Sequence, residues 1–244
     1  MRLFGLIGFP LGHSFSRGFF NEKFLREGID ARYENYPLSN AGLVRSLVNE
    51  NPALAGLNVT IPYKEAILSF LDVTDIEASR IGAVNTIAIS PERRLKGYNT
   101  DVYGFKKSLV PLLREQHTKA LILGSGGASK AVRFALEELG IEYRLVSRSP
   151  SGGHMISYRD LPSLLSTFML IINTTPVGMY PAIDACPDLP YELIGPEHLA
   201  YDLVYNPEIT LFMKKCRERG ATVKNGLEML HLQAEAAWKI WNGE

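Results

Sequence analysis

The chain has 244 residues, enough for two modest domains that each bury a core. Lysine plus arginine and aspartate plus glutamate both number 26, so no strong field draws the chain to nucleic acid or a membrane surface. No apolar run reaches membrane-spanning length. The two cysteines, Cys186 and Cys216, lack metal or redox spacing, which points to free thiols in a cytoplasmic protein.

Leu3 to Gly8 reads as a first strand; Gly5, Gly8 and Pro10 interrupt it too early for a signal peptide. Phe19, Phe20, Phe24 and Leu25 mark a helix to about Gly28. Arg32 to Tyr36 reads as a strand, and Ser39 as the cap of a helix carrying Leu43, Leu47 and Val48. Leu54 to Thr60 is a further strand, followed by helical segments over Lys64 to Leu71 and Thr74 to Ile81. Ala83 to Ile89 and Leu95 to Tyr98 flank a turn, as in a hairpin. Residues 1–100 therefore form an α/β layer of their own.

Asn99-Thr100-Asp101 opens a helix to about Leu113 that leads into a second domain. That domain begins with an apolar run, Ala120 to Leu123, then Gly124-Ser125-Gly126-Gly127-Ala128-Ser129. Ala131, Phe134, Ala135 and Leu139 follow at helical spacing up to Gly140, and Tyr143 to Val146 is a second strand. This strand, glycine turn, helix and strand is the opening unit of a dinucleotide-binding fold. Gly124 reverses the backbone, Gly126 lets it approach a pyrophosphate, and the helix start supplies free N–H groups. Ser129 stands where a third glycine is usual. Strands at Met169 to Ile172, Leu199 to Val204 and Thr222 to Val223 continue the sheet. A helix from Glu208 to about Arg219 follows, and a final helix runs from Leu227 to about Trp241 with Leu230, Ala234, Ala237 and Trp238 on one face.

Several residues are candidates for chemistry. Lys64 sits just past a strand, near an expected helix start that would ready an ammonium for acid–base work; a solvated surface lysine is the plainer reading. Asp101 is either a cap or an acid able to hold that ammonium. Ser14 and Ser16 could turn both hydroxyls to one carboxylate, or merely cap a helix. His13 reads as structural, and His117, His154, His198 and His231 have no ligand spacing, so no metal is expected. Asn58-Val59-Thr60 and Asn173-Thr174-Thr175 match glycosylation sequons by coincidence. After the second strand, Ser147-Arg148-Ser149 replaces the acid with which NAD binders hold a ribose. A guanidinium suits a phosphate, so NADP is the expected cofactor.

Together these stretches resemble the shikimate dehydrogenase family along nearly the whole chain. The likeness rests on His13-Ser14-Phe15-Ser16, Asn58-Val59-Thr60-Ile61-Pro62-Tyr63-Lys64, Gly82-Ala83-Val84-Asn85-Thr86, Asn99-Thr100-Asp101 and the glycine turn. It continues with Asn173-Thr174-Thr175-Pro176-Val177-Gly178, Tyr201-Asp202-Leu203-Val204-Tyr205, and Asn225-Gly226-Leu227-Glu228-Met229-Leu230 with Gln233. The resemblance implies an N-terminal α/β substrate domain over 1–100, joined by the closing helix 227–244, and a Rossmann-type domain with a parallel sheet over 101–226. It implies reversible NADPH-dependent reduction of 3-dehydroshikimate to shikimate, with Lys64 and Asp101 as the catalytic pair.

By the same resemblance, Ser14, Ser16, Thr60, Asn85, Tyr205 and Gln233 line the substrate site. Gly124, Ser125, Gly126, Gly127, Ala128, Ser147, Arg148, Ser149, Leu203 and Gly226 hold NADP. Three positions depart from the family's pattern: Arg17 and Phe20 replace a usual proline and histidine, and Gly152 replaces a second phosphate-binding arginine. Arg17 is expected to face solvent. The alternatives are a sister enzyme acting on quinate or an aminated shikimate with NAD, and a non-catalytic metabolite sensor. The expected partner is a small molecule rather than nucleic acid or membrane, and the chain a monomer or homodimer.

Overall fold

The computed structural model describes residues 1–11, 14–150 and 155–244. The expectations placed on His13, Gly152 and His154 lie outside the described residues. The chain divides into two compact units, Met1–Thr100 with Ala234–Glu244, and Asp101–Gln233.

The first unit contains β1 (Arg2–Gly8), α1 (Phe15–Arg26), β2 (Ala31–Pro37), α2 (Val44–Glu50), β3 (Leu54–Val59), β4 (Val73–Thr74), α3 (Ile76–Ile81), β5 (Thr86–Ile89) and β6 (Leu95–Tyr98). They form one mixed sheet in the order β2-β1-β3-β5-β6-β4. β1 runs parallel to β2 and β3, whereas β5 is antiparallel to both β3 and β6. Alternation along β1 sends Phe4 and Leu6 to one face and Ile7 to the other. Ile7 joins Val44, Leu47, Leu57 and Ile87 in one core. Phe4 joins Phe20, Phe24, Tyr33, Ala234, Ala237 and Trp241 in a second, where the rings of Phe4 and Trp241 stack with centroids 4.8 Å apart. Each buried Val, Leu, Ile or Phe among these contributes roughly 1.5–3 kcal/mol relative to exposure. The Trp241 indole N–H donates to the Ile87 carbonyl at 3.0 Å, so the chain's last helical residues are tied to the sheet.

Three local expectations are corrected. Ser39 caps nothing: a 3₁₀ turn over Ala41–Leu43 precedes α2, and its N-cap is Asn40 without a side-chain bond. The helix expected over Lys64 to Leu71 is a five-residue 3₁₀ segment, Ala66–Phe70, that starts beyond Lys64. It is too short for a macrodipole to act on that lysine. The helix expected from Thr74 begins at Ile76, where the Asp75 carboxylate accepts from Glu77 N, and Val73–Thr74 is an edge strand.

The second unit contains α4 (Asp101–Leu109), β7 (Lys119–Leu123), α5 (Gly127–Glu138), β8 (Glu142–Ser147), β9 (Met155–Ser157), β10 (Leu170–Asn173), β11 (Leu199–Asp202), α6 (Leu211–Glu218), β12 (Thr222–Lys224) and the start of α7 (Leu227–Trp241). The sheet order is β12-β11-β10-β7-β8-β9, and every neighbouring pair is parallel. Numbered from β7, this is the doubly wound dinucleotide-binding order, whose ligand site lies beyond the strand ends where the order reverses, between β7 and β10. β7 and β10 are buried along almost all their length, as strands covered on both faces must be. α6 starts at Leu211 rather than Glu208 because the Thr210 hydroxyl caps it, accepting from Met213 N.

Candidate functional site

In the first unit, most of the substrate candidates sit on loops at the ends of β1, β3 and β5. Ser14 is the N-cap of α1, its Oγ accepting from Arg17 N at 3.2 Å. Arg17 is about half exposed and also pairs with Glu34 at 3.3 Å, so it engages a carboxylate of its own unit as well as solvent. Ser16 bonds the buried hydroxyl of Tyr33, which in turn donates to Asn58 Oδ1 at 2.7 Å. A tyrosine has one proton to give, so Ser16 is the donor in the first of these bonds.

Asn58 continues the chain of bonds. Its Nδ2 donates to the Asn85 carbonyl at 3.3 Å and to Thr86 Oγ1 at 3.2 Å. Asn85 Oδ1 accepts from Thr86 Oγ1 at 3.1 Å and from Thr100 N at 2.7 Å, while its Nδ2 donates to Thr100 Oγ1 at 3.0 Å. Tyr33, Asn58, Asn85, Thr86 and Thr100 are all buried, so a neutral polar network runs from Ser16 to the residue before Asp101. Burial holds the Tyr33 hydroxyl well above its ordinary pKa, which keeps the network uncharged. Asn58, as a buried network member, cannot be a glycosylation site.

Thr60 and Lys64 lie on the turn after β3. Thr60 N donates to Ile7 O and its carbonyl accepts from Tyr63 N, both at 2.9 Å. The Lys64 carbonyl accepts from Val84 N at 2.7 Å, which fastens the lysine backbone beside Asn85. The side chain of Lys64 is half-buried. Ser16, Asn85 and Lys64, scattered in sequence, are thus brought together by one turn and one network.

In the second unit, Asp101 is the first residue of α4 and is buried, an acid where the helix dipole favours one. Tyr205 follows β11, and burial pushes its phenol up. The buried Gln233 donates from Nε2 to Leu230 O at 2.9 Å.

The glycine turn closes β7. Gly124 has φ +100°, a backbone that disfavours side chains, and its N–H donates to Val146 O at 2.9 Å. That bond sets the turn against the end of β8, where Ser147, Arg148 and Ser149 follow. Gly126 is the N-cap of α5 and has no side-chain capping bond; a Cβ added there would meet nothing within 4 Å. Gly126 therefore leaves room beside the start of α5, where helix N–H groups suit a pyrophosphate. Ser147 Oγ accepts from Ser149 N at 3.2 Å, and Arg148 is exposed. No acid stands among these three residues, so the donor set suits a ribose phosphate. Leu203 and Gly226 lie on adjoining turns, Gly226 N donating to Val204 O at 3.2 Å.

Asn173 and Asp202 were not foreseen as site residues. Each ends a strand, is fully buried, and bonds the other at 2.9 Å. The signal was present: an acid within an otherwise apolar buried strand is rare enough to mark a task. His117 and His198 brace loops, each ring accepting a backbone N–H at 3.0 Å. Among the described residues no group of three His, Cys, Asp or Glu could hold a metal, and no helix is long and apolar enough to cross a membrane.

Residues 6–87 match the shikimate dehydrogenase substrate binding domain. A shikimate dehydrogenase (NADP(+)) of Caldanaerobacter subterraneus subsp. tengcongensis is 37% identical, covering 100% of this chain and 92% of its own. Shikimate 5-dehydrogenase from Thermus thermophilus, solved in complex with NADP(H) and shikimate, has a TM-score of 0.87 at 35% identity and covers 100% of this chain and 94% of that one. Quinate dehydrogenase from Corynebacterium glutamicum, solved in complex with NAD, has a TM-score of 0.88 at 25% identity over the same shares.

Proposed function

Because the chain belongs to the shikimate dehydrogenase family, we propose that it catalyses the reversible NADPH-dependent reduction of 3-dehydroshikimate to shikimate in aromatic amino acid biosynthesis. The observation that carries this reading is the full-length similarity to an enzyme solved with both NADP(H) and shikimate.

Each group of residues has a role that its chemistry allows. Ser14 Oγ accepts from Arg17 N, and its own proton can still be given to the substrate carboxylate. Ser16 must turn from Tyr33 to do the same, so Ser14 is the stronger of the two anchors. Thr60, Asn85, Tyr205 and Gln233 hold the remaining oxygens. Bound NADPH supplies the hydride. Lys64 and Asp101 handle the proton at the oxygen that is reduced, Lys64 as its donor in that direction and its acceptor in the reverse. The turn Gly124–Ala128 takes the pyrophosphate on backbone N–H groups, and Arg148, with Ser147 and Ser149, takes the ribose phosphate.

The test is purified protein given shikimate or quinate with NADP or NAD, with formation of reduced nicotinamide followed by its absorbance. Shikimate with NADP is the expected best pair. Faster turnover of quinate with NAD would assign the chain to the sister activity, and no turnover of any pair would favour a sensor.

A further inference from the structure

We infer that Asp202 is a positioning residue for the dinucleotide: its carboxylate, through Asn173 and Thr175, sets the wall against which the glycine turn rests. The inference depends on the NADP reading above. Asp202 ends β11 and Asn173 ends β10, side by side in register. One carboxylate oxygen accepts from Asn173 Nδ2 at 2.9 Å and from Val204 N at 3.0 Å. The other accepts from Thr210 Oγ1 at 2.6 Å, the hydroxyl that also caps α6. Asn173 Oδ1, so oriented, accepts from Thr175 N at 3.0 Å and from Thr175 Oγ1 at 2.6 Å.

Thr174 and Thr175 then lie against Gly124. A Cβ built on that glycine would come 2.8 Å from Thr175 Cγ2 and 3.0 Å from Thr174 Oγ1. Leu203 is held by the same set, between Asp202 and Val204, with its N–H on Asn173 O at 2.9 Å. A single buried carboxylate thus joins the loop after β10, the loop after β11 and the start of α6.

The carboxylate has no cation among the groups that act on it. Burial, opposed by its three hydrogen bonds, pushes its pKa up to about 6. The titratable groups facing it are Cys216 on α6 and Tyr191 on the 3₁₀ turn Tyr191–Leu193. Burial pushes Cys216 up to about 12 and Tyr191 higher still, so both stay neutral. Lys224 on the neighbouring β12 is engaged by Glu228. Because the folded value lies above the ordinary 3.8, this group's contribution to stability is full below that value and is lost as pH rises through about 6. At neutral pH the charged form is therefore kept at a cost to the fold, while its three bonds order the cofactor loops.

The test is calorimetric titration of NADP into wild type and Asp202→Asn from about pH 8 to about pH 5, across the range in which the carboxyl takes up its proton. The amide keeps an acceptor for Asn173 and Val204 but does not titrate. NADP's own 2′-phosphate loses charge near pH 6, and the variant carries that contribution alone. The expected result is a wild-type Kd for NADP that weakens at least about threefold more than the variant's on acidification, with shikimate binding alike in both. Thr210→Val, which removes a bond favouring the charged form, should move the wild-type midpoint to higher pH, and it decides the matter should the asparagine variant not fold. Parallel curves for wild type and Asp202→Asn, or an unmoved midpoint in Thr210→Val, would overturn the inference. A wild type that binds no NADP at any pH would overturn the cofactor reading itself, and this inference with it.

Discussion

The two units differ in the groups they offer a ligand. The first uses a mixed sheet and a buried network of neutral hydroxyls and amides, Tyr33 through Asn58 and Asn85 to Thr100. The second has an all-parallel sheet, a glycine turn at the start of α5, an exposed arginine after β8 and one buried carboxylate at the end of β11. A polyhydroxylated ring needs many short, directional bonds at fixed angles, and a satisfied network holds such donors in place. A dinucleotide carries its charge on phosphates, which a helix start and a guanidinium match without fine shape. The contrast separates residues whose loss should touch one ligand from those whose loss should touch the other.

The largest break in that contrast comes at the reacting oxygen. Lys64→Ala should lower kcat by roughly two to four orders of magnitude with a smaller change in KM. Asp101→Asn should move in the same direction, and the double variant should lose much less than the product of the two. Steady-state kinetics in both directions checks this, and near-normal turnover in Lys64→Ala would end the assignment. Next in size, Ser14→Ala should weaken shikimate binding by about 1.5–3 kcal/mol, the range for a hydrogen bond to a charged group. Ser16→Ala should cost less, because that hydroxyl first gives up Tyr33. Equal losses in the two, measured by titration, would contradict the division of labour drawn from their bonds.

Arg148→Ala should lower kcat/KM for NADP by roughly tenfold or somewhat more and leave activity with NAD almost unchanged. The native preference for NADP should also fall with added salt, since Arg148 is exposed. The smallest effect on catalysis sharpens the picture of the first unit. Tyr33→Phe keeps the ring packed against Phe20, whose centroid lies 4.8 Å away, but leaves Asn58 Oδ1 without its donor. A loss of about 1–3 kcal/mol in stability is expected. With Ser16 released from Tyr33, the shikimate KM should change only a few-fold, which denaturation and kinetics measure separately.

Local patterns carried much of this architecture. The glycine turn, the apolar strands beside it and the run Ser147-Arg148-Ser149 are contiguous, so their meaning survives in one dimension. The closing helix, Leu227–Trp241, was legible from its apolar face alone. What escaped the sequence depends on partners far apart in the chain. Lys64 was read against an α-helix that is a 3₁₀ segment beyond it, because apolar spacing at Ile67 and Leu68 does not distinguish the two in so short a stretch. The Tyr33–Asn58 bond links residues on β2 and β3, and only the sheet order brings them together. Asp202 stood in plain view within its strand, yet its task appears only when Asn173 is placed beside it.

The central claim is that Ser14 in the first unit serves shikimate and Arg148 in the second serves NADP, and calorimetry of the two binary complexes tests it most directly. Ser14→Ala and Arg148→Ala are each titrated with shikimate alone and with NADP alone. The account predicts that Ser14→Ala loses shikimate affinity and keeps that for NADP, and that Arg148→Ala does the reverse. Loss of both ligands in either variant, or of neither in both, would contradict it.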